Sequence, residues 1–479
     1  IHLWESSSNI IANNTASNNK YGIYLLNSNN NTITNNTASS NEDGIYLYSS
    51  SNNIIANNIV SSNEDGIHLW ESSSNIIANN TASNNKYGIY LSDSSNNIIA
   101  NNIVSSNEGV GIFPGSSSNN IIANNTVSNN DFGIYLLNSN NNTISNNIIS
   151  SNNWHGIRLD YSSNNTMANN NISSNDQNGI YLYSSDNNII INNTVNSNDQ
   201  NGIDLASSDN NTITNNIISS NNHNGIRLWD GFFHYSSDNN IIINNTFHLN
   251  GMFVFNSYNN KVTNNMVNGK PLVYLENVSD YVVKDAGQVI AINSNNITVE
   301  NLNISYASIG IEFWNTNNSK ITNNTVSNNW AGIYLYYSSN NTIANNTVSN
   351  NWDGIRLGYS SNDFIYVNNF INNNVYSYES TNIWNSTEPI TYTYNGKQYT
   401  NYLGNYWSGY KGSDSDGDGI GETPYLIDGV NGDKDYYPLV EPIENYVIGI
   451  SNYSISNPPT VDRGAIIIPT DIFPEGKGM

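Results

Sequence analysis

The dipeptide Gly-Ile recurs every 22 or 23 residues along this chain, and this spacing limits the fold more than any other feature. Its glycines are Gly22, Gly44, Gly66, Gly88, Gly111, Gly133, Gly156, Gly179, Gly202 and Gly225, and then Gly310, Gly332 and Gly354. Residues 1–25 return unchanged as residues 67–91, which is a distance of three repeats. Such a fixed period predicts a solenoid, in which each repeat buries its apolar side against its neighbours.

Each repeat contains the pattern of three short strands. In Gly-Ile-Tyr-Leu the period of two places Ile and Leu on the inner side of a strand and Tyr on its outer side. Two further strands are each centred on an Ile or Val between asparagine-rich corners. Asn, Ser and Gly suit those corners because they tolerate left-handed backbone conformations. The period is too short for two packed helices, and Asn, Ser, Thr, Ile and Val are poor helix formers. We therefore predict an all-β protein, a right-handed parallel β-helix of about 16 coils and about 75–80 Å in length.

The repeat divides the chain into three predicted parts. Residues 1–374 form the β-helix, with an insertion around 268–288, where Lys270–Gln288 is predicted to protrude as a hairpin or loop. Residues 375–440 form a β-rich cap, and residues 441–479 form a linker or an extension towards a missing domain. Because Ile1 falls just after the position of a coil's glycine, we expect the solenoid to continue before it.

The predicted cap begins with a β-hairpin that turns at Asn395–Gly396, a dipeptide typical of tight hairpin turns. We expect it to cover the last coil, since an open end of stacked strands promotes aggregation. Tyr402, Tyr406 and Trp407 are the side chains expected to fill that end.

Charge and composition exclude several classes of partner. The chain has 14 basic and 38 acidic residues, a net charge of −24, which argues against nucleic-acid binding. It has no cysteine, so disulfides and thiolate metal sites are excluded. No run of about 20 apolar residues is present, so no membrane-spanning helix is predicted.

The recurring Asn-Asn pairs have two interpretations. Asparagines at equivalent corners can form a ladder, in which each side-chain amide bonds to the next coil, and we favour this reason. Many pairs also begin glycosylation sequons, whose exposed members can carry glycans in a secreted protein. The predicted glycosylation sites are Asn13, Asn35, Asn124, Asn192, Asn323 and Asn345.

An aromatic face is predicted on the outward side of the Gly-Ile-Tyr-Leu strands. It contains Tyr24, Tyr46, Trp70, Tyr90, Tyr135, Tyr181, Trp229, Trp314 and Tyr334. Three roles are open for these rings: a self-stacking ladder that supports the coil, an interface with another subunit, or a surface that stacks on sugars.

The stretch DSDGDG predicts a structural Ca²⁺ site. Asp414, Asp416 and Asp418 stand at alternate positions before Gly419, as in the first half of an EF-hand loop. The backbone carbonyl of Ile420 would be a further ligand. The twelfth position is Tyr425 instead of Glu, so Glu422, Asp428, Asp433 or Asp435 must complete the shell.

A candidate catalytic set lies on the middle coils: His155, Arg158, Asp160, Asp204, His223, Arg227 and Asp230. Carboxylates beside arginines are what polysaccharide lyases and hydrolases need. However, Asp204 has Tyr181 and Arg227 as its neighbours in the column, and no second carboxylate. We therefore favour scattered surface charges over an active site.

The Asn-rich coils, the break NGKPLVYLENVSDYVV and the ending GNYWSGYKGSDSDGDGIGETPYLIDG together resemble one family. It is that of archaeal NosD-like proteins with the carbohydrate-binding and sugar-hydrolase (CASH) β-helix, and the resemblance covers about residues 1–440. It implies an exported, right-handed β-helix at the cell surface or outside the cell. The family name comes from an accessory factor in copper-site assembly, but 4 Met, 6 scattered His and no Cys do not indicate a copper site here.

These observations favour a non-enzymatic structural protein, extracellular or on the cell surface. It would be a homo-oligomer or polymer of like chains, such as a subunit of a sheath, layer or filament. The alternative is a carbohydrate-binding or polysaccharide-cleaving β-helix protein.

Overall fold

The computed structural model describes residues 1–231, 235–427 and 432–448. The chain winds into the predicted right-handed parallel β-helix, of about 17 turns. Outside the break around 268–288, each coil contributes one strand to each of three sheets, and these strands pair in parallel with their counterparts one coil later. No helix of the described residues is long and apolar enough to cross a membrane.

Three sets of 12 parallel strands form the first part of the solenoid, and the third set continues into the fourth sheet through one antiparallel pair. The first sheet comprises His2–Trp4, Tyr21–Leu26, Asp43–Tyr48, Asp65–Trp70, Tyr87–Ser92, Val110–Gly115, Phe132–Leu137, Ile157–Asp160, Ile180–Tyr183, Ile203–Ala206, Ile226–Trp229 and Met252–Val254. The second comprises Ile10–Ala12, Thr32–Thr34, Ile54–Ala56, Ile76–Ala78, Ile98–Ala100, Ile121–Ala123, Thr143–Ser145, Thr166–Ala168, Ile189–Ile191, Thr212–Thr214, Ile241–Ile243 and Lys261–Thr263. The third comprises Thr15–Ser17, Thr37–Ser39, Ile59–Ser61, Thr81–Ser83, Ile103–Ser105, Thr126–Ser128, Ile148–Ser150, Asn171–Ser173, Thr194–Asn196, Ile217–Ser219, Thr246–His248 and Met266–Val267.

Three shorter sheets form the second part. The fourth comprises Lys270–Glu276, Gln288–Ile292, Ile309–Trp314, Ala331–Tyr336, Asp353–Gly358 and Asn374–Tyr378. The fifth comprises Ser279–Val283, Asn295–Glu300, Lys320–Thr322, Thr342–Ala344 and Phe364–Tyr366. The sixth comprises Asn303–Ser305, Thr325–Ser327, Thr347–Ser349, Asn369–Ile371 and Tyr406–Trp407.

The core is a column of aliphatic side chains, because the middle residue of each three-residue strand points inward. In one coil these are Ile134 and Leu136 of the first sheet, Ile144 of the second and Ile149 of the third, all fully buried. The fixed spacing of the coils aligns such residues along the rod, so each coil is covered by the next.

The asparagine ladder is confirmed, and the two members of each pair have different roles. The first member, such as Asn124 with φ 57°, sits exposed in the left-handed region at a corner. The second member, such as Asn125, is buried and bonds to both neighbouring coils. All six predicted glycosylation sites are exposed first members, and their glycosylation stays a prediction.

The prediction of a protruding loop at 270–288 is wrong. Lys270–Glu276 turns back on Met266–Val267 in an antiparallel pair and then pairs in parallel with Gln288–Ile292. Ser279–Val283 likewise pairs with Asn295–Glu300. Leu272, Leu275 and Val283 are buried, so this segment is a short coil in the wall, held there by its apolar side chains.

The cap contains the predicted hairpin, in which Ile390–Tyr394 pairs with Lys397–Asn401 around Asn395–Gly396. Tyr446–Ile448 adds a third strand to that sheet, after the short 3₁₀-helix Ile443–Asn445, so these residues are part of the cap and not a linker. The remainder of the predicted linker lies outside the described residues.

The end of the solenoid is closed by aromatic stacking. Trp407 is buried and stacks on Phe370 at 4.6 Å and on Tyr425 at 4.5 Å. Tyr425–Leu426 pairs with Lys434–Asp435 beside it. Tyr402 lies further out, 5.3 Å from Tyr437.

Candidate functional site on the outer face of the first sheet

The central outward position of the first sheet carries a ladder of stacked rings. His2, Tyr24, Tyr46, His68, Tyr90, Phe113 and Tyr135 follow one another in seven successive coils. Their centroids are 4.7–5.2 Å apart and their planes differ by at most 31°. The face of each ring is covered by its neighbour, so these rings support the coil instead of offering faces to a sugar.

Arg158 ends this ladder. Its guanidinium lies 5.2 Å from the Tyr135 ring centroid and 5.5 Å from that of Tyr181. It donates two hydrogen bonds to Asp160, of 2.9 and 2.8 Å, and the Tyr135 hydroxyl donates a third of 2.8 Å. The carboxylate of Asp160 is therefore paired with a fixed cation.

Two exposed rings flank this network on the same coil. Trp154 is 45% exposed just before the strand, and Tyr161 is 51% exposed just after it. We call Tyr135, Trp154, Arg158, Asp160 and Tyr161 the central patch. It joins two half-exposed aromatic side chains to a rigid polar network, a combination typical of sugar-binding surfaces. Each ring also contacts a ring of an adjacent coil, Trp154 at 5.4 Å from Phe132 and Tyr161 at 5.6 Å from Tyr183.

His155 lies beneath the patch and is not available as an acid or base. It is 4% exposed, stacks on Tyr181 at 4.8 Å, and its Nδ1 accepts the backbone N–H of Asn178 at 3.2 Å. Burial, aided by the charge of Arg158, lowers the pKa of His155 to about 3. It is therefore neutral at physiological pH, with its proton on Nε2.

A second ion pair lies two coils further along. Asp204 is fully buried and accepts hydrogen bonds from Arg227 at 2.9 and 2.7 Å. Asn178 and Asn201 donate to the same carboxylate at 3.2 Å. The Arg227 guanidinium also stacks 4.3 Å from the Trp229 ring.

The candidate catalytic set therefore splits into two separate ion pairs. His223 is exposed, and Asp230 is buried and accepts a hydrogen bond from Asn256 at 3.2 Å. Glycoside hydrolysis needs two carboxyl groups that face one bond, one of them protonated. Asp160 and Asp204 are each bound to an arginine instead, so the set lacks that arrangement.

The predicted aromatic face is not continuous. Tyr24, Tyr90, Tyr135 and Trp229 are half-buried, Tyr46 and Tyr181 are buried, and Trp70 is 44% exposed. Trp314 and Tyr334 are only 4% and 2% exposed. Phe255 packs on Trp314 at 4.5 Å, because the shortened coils at the break fold aromatic residues over this part of the face.

Sequence reasoning missed one cluster on this face. Asp43 and Asp65 are partners in adjacent strands, and both carboxylates approach Nδ1 of His68, at 3.1 and 3.2 Å. Burial, with the adjacent charge of Asp43, raises the pKa of Asp65 to about 7 against the opposing effect of His68. The repeat Glu-Asp-Gly-Ile, found twice 22 residues apart, was the signal for this pair.

The structure brings together part of the predicted calcium loop. Carboxylate oxygens of Asp414, Asp416 and Glu422 lie within 4.8 Å of one another. Asp418 is not in this group, and its Oδ1 accepts the Ile420 N–H at 2.8 Å. Asp428 lies outside the described residues.

Asp433 and Asp435 are engaged elsewhere. Asp433 accepts the indole N–H of Trp384 at 3.2 Å, and the fully buried Asp435 accepts that of Trp407 at 2.9 Å. Ca²⁺ binding by the loop stays a prediction.

Chelation of Ca²⁺ is expected to destabilise the cap, because the three carboxylates would then repel one another without a counter-ion. EGTA should lower the midpoint of cap unfolding, and added Ca²⁺ should restore it. Saturation at about 100 times Kd corresponds to about 2.7 kcal/mol. Tryptophan fluorescence during thermal unfolding follows all nine tryptophans, of which Trp384 and Trp407 lie in the cap. Asp414→Asn should remove the response to Ca²⁺, and an equal response in wild type and variant would contradict the site.

The fold and this face define an elongated right-handed β-helix protein, and residues 111–240 match the model of the right-handed β-helix region. Within that class the chain belongs to the NosD family, described as periplasmic copper-binding protein, whose model matches residues 1–131 and 230–412, more than half of the chain. No curated protein matches the chain significantly.

Several solved structures resemble the chain at low identity. A double mutant of the periplasmic alginate epimerase AlgG is 20% identical, over 52% of this chain and 73% of that one, with a TM-score of 0.39. The A-module of the mannuronan C-5 epimerase AlgE6 of Azotobacter vinelandii is 15% identical, over 74% and 88%, with a TM-score of 0.39. DFA-IIIase of Arthrobacter chlorophenolicus, without its lid, is 13% identical, over 47% and 67%, with a TM-score of 0.40.

The described residues do not fit a soft-ligand copper site. Copper(I) takes thiolate and thioether sulfur, and the chain has no cysteine. Of the described methionines, Met167 and Met252 are fully buried in the core and only Met266 is partly exposed. Nδ1 of His155 already accepts a backbone hydrogen bond.

Proposed function

We propose that this protein binds a neutral polysaccharide at the central patch without cleaving it. The observation that carries the proposal is the pair of half-exposed rings, Trp154 and Tyr161, on either side of the Arg158–Asp160 network. A pyranose presents an apolar face that stacks on an aromatic ring and hydroxyls that pair with charged side chains. The family description as periplasmic supports a location outside the cytoplasm.

Charge supports a neutral polymer over an acidic one. The chain carries a net charge of −24, so a polyanion is repelled over most of the surface. The arginines of the face are bound to Asp160 and Asp204, and therefore provide no free cation for a uronate. Because both carboxylates are paired, binding without hydrolysis is the expected chemistry.

Removal of one flanking ring should weaken polymer binding by about tenfold, since a stacking contact is worth about 1 kcal/mol or slightly more. We would measure retardation in native gels containing β-glucan, mannan, soluble chitin derivatives or alginate, for wild type, Trp154→Ala and Tyr161→Ala. Trp352→Ala is the matched control, because Trp352 is 69% exposed just before a strand of a later coil.

The gel experiment has clear contrary outcomes. If no neutral polymer retards the wild type, or if the control variant loses as much affinity as Trp154→Ala, the proposal is wrong. Release of reducing ends or unsaturated sugars from any polymer would show an enzyme instead of a binding protein.

A second candidate function is self-assembly into a layer or filament. It is favoured by a row of aliphatic side chains on the outside of the second sheet, where Ile54, Ile76, Ile98 and Ile121 are 38–43% exposed at successive coils. Such a row can be covered by another copy of the chain. Light scattering that finds only the mass of one chain at high concentration would exclude this candidate.

A further inference from the structure

The cluster of Asp43, Asp65 and His68 has the composition of a metal site. Asp43 and Asp65 stand side by side because their strands pair in register. The backbone N–H of Asp65 donates to the backbone carbonyl of Glu42 at 3.0 Å. The three side chains are only 10–13% exposed. Two acidic groups thus share a nearly dry space with one imidazole, and a carboxylate pair there needs a cation or a shared proton.

We propose that Asp43, Asp65 and His68 bind a divalent transition-metal ion of the Zn²⁺ type. The ligands would be Nδ1 of His68 and one oxygen of each carboxylate, and these atoms all lie within 4.8 Å of one another. A tetrahedral ion with bonds of about 2.0–2.1 Å holds its ligand atoms about 3.3 Å apart. The nitrogen–oxygen distances of 3.1 and 3.2 Å already match that separation.

The surroundings fix the ligands in place. The His68 ring is held between Tyr46 at 4.8 Å and Tyr90 at 4.7 Å, so the imidazole cannot turn away. The two carboxylates are fixed by the parallel pairing of their strands. Three protein ligands leave the fourth coordination position of the ion open for water or a small molecule, as in catalytic zinc sites.

An independent observation points to a missing ligand. Among the described residues, Asp65 Oδ1 is a buried polar atom of this cluster without a hydrogen-bond partner. Buried polar groups are almost always paired, so unpaired atoms at a cluster need an explanation. Two lysines lie near the cluster: Lys86 Nζ is bound to Glu64 at 3.0 Å, and Lys20 Nζ lies 5.1 Å from the Tyr21 ring centroid. A bound cation would balance the second carboxylate.

The chemistry of the donors favours a divalent ion. One imidazole and two carboxylates suit Zn²⁺, Co²⁺, Mn²⁺ or Cu²⁺, whereas Cu⁺ prefers sulfur. The inference does not depend on polysaccharide binding, since the central patch uses other coils.

The test is a titration of the full chain with Zn²⁺, after chelation and in excess Ca²⁺ to saturate the acidic loop of the cap. We expect about one Zn²⁺ per chain by calorimetry, and visible absorption of a Co²⁺ complex with fewer than six ligands. Cu⁺ under reducing conditions should not displace Zn²⁺.

Two variants and a control assign the ligands. Asp65→Asn and His68→Tyr should each weaken Zn²⁺ binding by at least about tenfold, a loss that substitutions outside the ligand shell already cause. His68→Tyr keeps the ring ladder, because tyrosines occupy this position in both adjacent coils. Asp353→Asn is the control, since Asp353 has the same strand position but is bound to Arg356 at 2.9 Å.

Absence of Zn²⁺ binding would overturn the proposal and would leave His68 as the counter-ion of the two carboxylates. Zn²⁺ binding that survives both variants would also overturn it, as would preferential binding of Cu⁺.

Discussion

Gly133→Ala is expected to destabilise the solenoid by about 3 kcal/mol or more, the upper range for overpacking in a core. A Cβ at this position would lie 2.5 Å from the carbonyl oxygen of Gly156 and 2.7 Å from Ile149 Cγ2. Neither can yield easily, because the first is backbone of the next coil and the second is core. Relief of the clash requires the two coils to separate, which breaks the Ile134 N–H to Gly156 hydrogen bond of 2.9 Å.

The measurement is urea unfolding followed by far-UV circular dichroism, with amide exchange to locate the change. Amides of the coils on both sides of Gly133 should exchange faster, and those of the cap should not. Gly115→Ala is the control, since its Cβ would meet nothing closer than 3.6 Å. Equal destabilisation by the two substitutions would show that close coil approach is not the reason for the glycine.

Asn125→Ala is expected to cost about 3–5 kcal/mol, because buried polar groups left unpaired cost about 1–3 kcal/mol each. The Asn125 Oδ1 accepts the backbone N–H of Asn102 at 2.9 Å and its Nδ2–H at 3.0 Å. The Nδ2 of Asn125 donates to the backbone carbonyl of Ile99 at 2.9 Å and to the Oδ1 of Asn147 at 3.0 Å. The substitution removes all four bonds across three coils.

The neighbouring residue provides a matched control. Asn124 is exposed with φ 57°, so Asn124→Ala should cost only about 1 kcal/mol for a non-glycine residue in the left-handed region. Thermal unfolding of both variants gives the comparison. If Asn124→Ala is the more damaging of the two, the pairs serve the corner conformation and not the ladder.

The site could be predicted from the sequence only in part. The acidic loop of the cap and the aromatic column were visible as patterns, because both depend on residues close in sequence or at fixed spacing. Tyr334 occupies the strand position of Tyr24, and Trp314 that of Leu26, yet both are buried by Phe253, Phe255 and their neighbours. Their burial depends on how the shortened coils around 270–288 repack, and no repeat in the sequence encodes that.

The sequence by itself determined the rod. A period of 22 or 23 residues, one apolar position per short strand and a glycine at the same place in each repeat permit little except stacked coils. The tertiary structure decided what the surface can bind. Whether a ring offers its face or stacks on its neighbour, and whether Asp43 and Asp65 meet at His68, depends on side-chain directions and on burial. These arise only when coils distant in sequence lie about 4.8 Å apart.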